Sequence, residues 1–124
     1  MKKLLLSILM FFFLSQFCIA QEGNKWTKTD SAYQATYLIL HAVDWLQTIE
    51  AVKSPAHWEE INPLLRNTPS IRKVNIYMAT SAILHTLISY SLSPKLRRPF
   101  QHITIVIKTG LLYHNYSLGL NIKF

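Results

Sequence analysis

The 124-residue chain holds one cysteine, three glycines and six acidic residues. The cysteine, Cys18, lies in an N-terminal apolar run that reads as a targeting segment. A mature chain without it has no disulfide of its own and no thiolate metal site. There is also no Gly-rich phosphate loop, no serine in a nucleophile elbow and no internal repeat. The six acidic residues face 13 basic ones, a formal net charge of +7, or about +5 once Lys2 and Lys3 are set aside with the targeting segment. The remaining basic residues are scattered between apolar runs, whereas a nucleic-acid surface gathers them on one face with aromatics interleaved. Nucleic acid is therefore set aside as a partner.

What the chain has in abundance is apolar residues, half of the total, a high share for so small a domain, in which surface outweighs core. Residues 1–20 have the composition of a secretory signal peptide. Lys2 and Lys3 form the charged start, Leu4 to Leu14 the apolar run, and Cys18-Ile19-Ala20 the small-residue site, with cleavage expected after Ala20. Phe17 before Cys18 argues against a lipoprotein. The bland alternative is an uncleaved signal anchor. A polar tether at 21–31 leads into a helical membrane domain over 32–124, with helices expected at about 32–52, 73–92 and 99–118.

Each expected helix is an apolar cylinder with one polar line. On the first, Gln34, His41, Asp44 and Thr48, with Tyr37 among them, recur every three or four residues. On the second, Val74 to Leu92 carries no formal charge and is long enough for a hydrocarbon core of about 30 Å, with Ser81, His85 and Ser89 on one face. On the third, Gln101, Thr104, Lys108 and Asn115 share a line. Between the first two lies a loop, 53–72, marked by Pro55, Pro63 and Pro69, in which Trp58 suits headgroup depth. Lys95, Arg97 and Arg98 mark a second interface. The last residues alternate apolar and polar up to Phe124, like a terminal barrel strand. No other segment does so, and a helix end with an extended tail is the preferred reading.

An ionisable residue inside a spanning helix costs roughly 2.5–3.5 kcal/mol on insertion scales and so is expected to have a partner. Asp44 and Lys108 sit near the middle of the first and third helices, and pairing would lower the cost of both. An ion pair that sets helix register is weighed above a proton or cation site. Gln47 and Thr48 flank Asp44, and the commoner fate of such a threonine is a bond back to the Asp44 carbonyl. In the loop, Glu60 is expected to cap backbone and Pro63, after Asn62, to fix the exit; a catalytic use would need a second acid or base nearby. Of five histidines, His41 and His85 could face one another as bis-histidine ligands. No pair has helical zinc spacing, so no metal or cofactor is assigned and no residue is named catalytic.

The order Asp44-Trp45-x-Gln47-Thr48, then Glu60-x-Asn62-Pro63-x-Leu65-x-x-x-Pro69-Ser70, then His114-Asn115-Tyr116-x-x-Gly119 resembles a group of small bacterial and phage-borne integral membrane proteins of unassigned activity. The likeness runs from about His41 to Gly119. That group carries an acidic residue near the place of Lys108, where this chain departs from it.

These observations together predict an all-α protein, a signal peptide followed by a three-helix transmembrane bundle in the bacterial inner membrane. An exported N-terminus would put the 53–73 loop in the cytoplasm with four basic residues, against three at 95–98 outside. The expected role is a non-enzymatic structural or accessory component with polar residues as interior glue. Its partners would be membrane lipid and other membrane proteins or further copies of itself. The alternatives are a small transport, redox or catalytic unit using Asp44, Glu60 and the histidines, and a soluble periplasmic helical domain.

Overall fold

The computed structural model describes residues 25–54, 69–120 and 122. They form three helices, α1 (Lys28–Lys53), α2 (Ile71–Ser91) and α3 (Pro94–Ser117), and no strand among the described residues. The signal segment at 1–20 and the loop residues Glu60, Asn62 and Pro63 lie outside the described residues.

Each helix starts where its sequence supplies a start. Thr27 Oγ1 accepts from the backbone N–H of Asp30 (3.1 Å) while Asp30 Oδ2 accepts from that of Thr27 (2.9 Å), a reciprocal box that satisfies two orphan donors. α1 therefore begins at Lys28, inside the stretch expected to be a tether. Ser70 caps α2 by accepting from Lys73 N–H at 3.2 Å. α3 begins at Pro94, whose missing N–H costs nothing at a first helical position. Pro99, expected near the start, instead sits in the second turn. At the other end of α3, Gly119 takes φ +83 and its N–H donates to the Tyr116 carbonyl, while Leu120 N–H donates to that of Asn115. This Schellman turn needs the left-handed backbone that glycine adopts without strain. It folds Leu120 back against the bundle, where it is buried.

The helices run up, down and up. Two residues, Leu92 and Ser93, join α2 to α3, and side-chain contacts fix the rest of the topology. The start of α1 meets the start of α3 through Asp30–Arg97, and Gln47 late in α1 meets Asn115 late in α3. Against α2 the order reverses: Gln34 meets His85, His41 meets Met78, and Trp45 meets Asn75. α1 touches both other helices, which touch one another less.

What the bundle buries is unusual. The buried line of α1 is Asp30, Gln34, Tyr37, His41, Asp44, Gln47 and Thr48. α2 adds His85 and Ser89, and α3 adds Arg97 and Gln101. The compact apolar cluster is small, Val74 and Met78 with Trp45, Ile49, Val52 and Tyr77 packed against them. Large apolar side chains point outward on every helix, among them Ile39 (65% exposed), Ile83 (61%) and Val106 (70%). By mean hydropathy, no helix among the described residues is long and apolar enough to cross a membrane.

Candidate functional site

The interior is three polar clusters stacked along the bundle. At the hairpin end, Arg97 is fully buried. Its Nη1 donates to Asp30 Oδ2 at 2.9 Å, its Nε to the Ser89 carbonyl at 2.8 Å, and its Nη2 to the Leu92 carbonyl at 3.0 Å. Ser89 and Leu92 flank the end of α2, where carbonyls lose their helical donors and the dipole favours a cation. Trp26 covers the guanidinium, 4.8 Å from ring centre to Cζ. Asp30 also receives Arg98 Nε at 3.3 Å, and its carbonyl receives Gln101 Nε2 at 3.1 Å. One ion pair thus joins all three helices.

Of Lys95, Arg97 and Arg98, read from sequence as marking an interface, Arg97 turns its side chain inward: a charge with that many internal acceptors gains nothing by pointing outward. Asp30, placed in the tether by sequence, was missed as a partner, although Thr27-x-x-Asp30 is a capping pattern that could have pointed to it.

The Thr27 backbone N–H and hydroxyl and the two guanidiniums together satisfy both oxygens of the Asp30 carboxylate, so its charge is matched where it is buried.

In the middle, His85 is held on both nitrogens. Gln34 Nε2 lies 3.2 Å from Nδ1, and Thr104 Oγ1 lies 2.9 Å from Nε2. Thr104 already donates its hydroxyl proton to backbone carbonyls of its own helix, so it accepts from His85. His85 is therefore the neutral Nε2–H tautomer, and its ring stacks on Tyr37 at 3.4 Å between centroids and on Phe100 at 4.8 Å. His41 donates Nε2–H to the Met78 carbonyl at 2.9 Å and stacks on the same tyrosine at 5.6 Å. The two histidines do face a common centre, but Tyr37 stacks on both, and His85 has no lone pair left for a ligand. Among the described residues, no group of three His, Cys, Asp or Glu could hold a metal ion. His102 lies on the exposed side of α3, edge-on to Tyr33.

In the third cluster, Lys108 Nζ donates to Asp44 Oδ2, so the structure brings together the two ionisable residues that the sequence places at mid-helix. Thr48 Oγ1 donates back to the Asp44 carbonyl at 2.9 Å. Gln47 accepts from Asn115 Nδ2 at 3.1 Å and donates to the Leu120 carbonyl at 3.4 Å, tying the C-terminal turn to α1. Of the residues singled out from sequence, His41, Asp44, Gln47, Thr48, His85, Lys108 and Asn115 all belong to this interior column. Glu60, Asn62 and Pro63 lie outside the described residues.

No family model matches the chain, and no curated protein or solved structure matches it either.

Proposed function

We propose that this chain is a small integral membrane protein of the bacterial inner membrane, delivered by its N-terminal segment. It would be a non-enzymatic structural or accessory component, with three spanning helices held together by interior polar contacts. The observation that carries this reading is the inverted distribution of polarity. Arg97, Gln101, Asp30 and Ser89 are 2% exposed or less, while isoleucine, leucine and valine side chains cover the outside of every helix. In water such an exterior would be costly, at about 25 cal/mol per Å² of apolar surface left wet. In lipid it is the solvent-facing surface, and polar groups turn inward to find partners.

The low mean hydropathy of the helices is what the proposal has to accommodate. A mean counts every side chain, whereas lipid meets only the outer ones. Asp44, Gln47, Gln101 and other mid-helix polar groups face inward, while the exposed charges Lys28, Lys53, Arg72, Lys73, Lys95 and Arg98 lie near helix ends. The shortest helix, α2, has 21 residues, which spans about 31 Å at the helical rise, close to the thickness of a hydrocarbon core.

A structural role is favoured over catalysis because the interior carboxylates, their cations and His85 are committed to partners. That leaves only His41 Nδ1, among the buried ionisable atoms described, with a spare lone pair. Asp30 is matched by Arg97 and Arg98, Asp44 by Lys108, and His85 is bonded at both nitrogens. A general acid or base must keep a proton or lone pair for its substrate.

Fractionation of the expressed full chain, with an alkaline carbonate wash and N-terminal sequencing, tests the proposal. Retention in the membrane pellet is the expected result. Release by carbonate would sink it and would mean that another protein covers the apolar exterior.

A further inference from the structure

Four buried side-chain atoms among the described residues have no hydrogen-bond partner: Gln34 Oε1, His41 Nδ1, Ser89 Oγ and Gln101 Oε1. Three of these, from three different helices, lie within about one turn of each other along the bundle. Gln101 Nε2 reaches the carbonyl of Asp30, one turn before Gln34 on α1. Gln34 Nε2 reaches His85, one turn before Ser89 on α2. Arg97, one turn before Gln101 on α3, donates to the carbonyl of Ser89. All three residues are more than nine-tenths buried. An unpaired buried polar atom costs about 1–3 kcal/mol, so three within a turn of each other call for a partner that all can reach.

Their chemistry narrows the choice. Gln101 must point its nitrogen at the Asp30 carbonyl, which leaves an acceptor oxygen. Gln34 must point its nitrogen at His85 Nδ1 and at Thr86 Oγ1, whose own proton goes to the Ala82 carbonyl, so it too leaves an acceptor. Ser89 offers a hydroxyl that can donate. Two acceptors and one donor are the complement of a single water molecule with three hydrogen bonds, the usual number for a buried water. A metal cation fits badly. Three neutral oxygens are fewer than Ca²⁺ or Mg²⁺ takes, and the Arg97 guanidinium lies one turn away.

We propose that one water molecule is held between Gln34, Ser89 and Gln101, donating to the two carboxamide oxygens and accepting from the serine hydroxyl. It connects the Asp30–Arg97 cluster to the His85 cluster, so that the upper two-thirds of the interior forms one hydrogen-bonded unit. The site does not depend on what covers the apolar exterior.

Proton-detected NMR of the perdeuterated full chain, back-exchanged in ordinary water and held in lipid bilayers, tests it. Cross-peaks at the water frequency are expected for the Gln34 and Gln101 side-chain amides and for Ser89. Ser89→Ala should remove those at both glutamines while leaving the backbone shifts around Asp44 and Lys108 unchanged. Absence of the cross-peaks from the wild-type protein overturns the proposal, and so does their survival in Ser89→Ala. Equally strong cross-peaks at Gln47 and Asn115 would mean a wetted column in place of a single site, and would overturn it too.

Discussion

Arg97→Met should lower the unfolding free energy of the full chain by about 3–5 kcal/mol, the range for removing one partner of a buried ion pair. Unfolding by denaturant in the lipid or detergent that holds the native protein measures it. Two losses coincide. Asp30, 2% exposed, keeps its Thr27 hydrogen bonds but has only Arg98 left as a cation, and that side chain is half in solvent. The carbonyls at the end of α2 lose a donor that nothing else in the described structure replaces. Arg97→Lys should recover little of the loss, because an ammonium cannot offer a planar fork to a carboxylate and to carbonyls on two sides. Arg98→Ala is the control: a pair half in solvent is worth less than about 1 kcal/mol. Equal effects at 97 and 98 would mean that burial of the guanidinium contributes nothing.

The second large effect is expected at Asp44 and Lys108, and there the sign depends on how many partners are removed. Lys108→Met leaves a carboxylate in the bundle interior with no cation, and Asp44→Leu leaves an ammonium there. Each should cost about 3–5 kcal/mol. The double variant Asp44→Leu with Lys108→Met has no stranded charge and should recover most of that loss, or exceed wild type, since well-packed apolar replacements of buried pairs are often neutral or stabilising by about 1–4 kcal/mol. A full cycle of unfolding measurements gives the coupling. Additive single losses would mean that the two residues act independently. Retained fold in the double variant would also make this pair dispensable for architecture and leave its presence to be explained by assembly with a partner.

The polar line of α1 was legible because its spacing alternates between three and four residues, which no strand and no random loop reproduces. The same period foretold which face turns inward, and mid-helix depth brought Asp44 to Lys108. Arg97 was not legible. A basic residue beside an apolar run reads the same whether its side chain reaches outward or curls under the preceding helix end, and only the tightness of the Leu92–Ser93 turn decides between them. Asp30 was hidden for a related reason. Its neighbours Thr27, Lys28, Thr29 and Ser31 are all polar, so no apolar periodicity announces the first turn, and a capping box with aspartate in place of the usual glutamate is a faint signal. Pro99 misled because proline suits a helix start. The earlier proline, Pro94, preceded by a serine, already occupied that place.

The distances in sequence between these charges bear on how the chain is made. α1 emerges from the ribosome before α2 and α3, and it carries the two buried carboxylates of the described residues. Arg97, which answers Asp30, is 67 residues further on, and Lys108, which answers Asp44, is 64 residues beyond it. Throughout most of synthesis the first helix therefore waits with two unmatched negative charges, while α2 and α3, joined by a two-residue turn, follow with both cations on α3. A chain cut short anywhere before Arg97 would display carboxylates in an apolar helix, a mark by which a protease or insertion factor can tell an unfinished copy from a finished one.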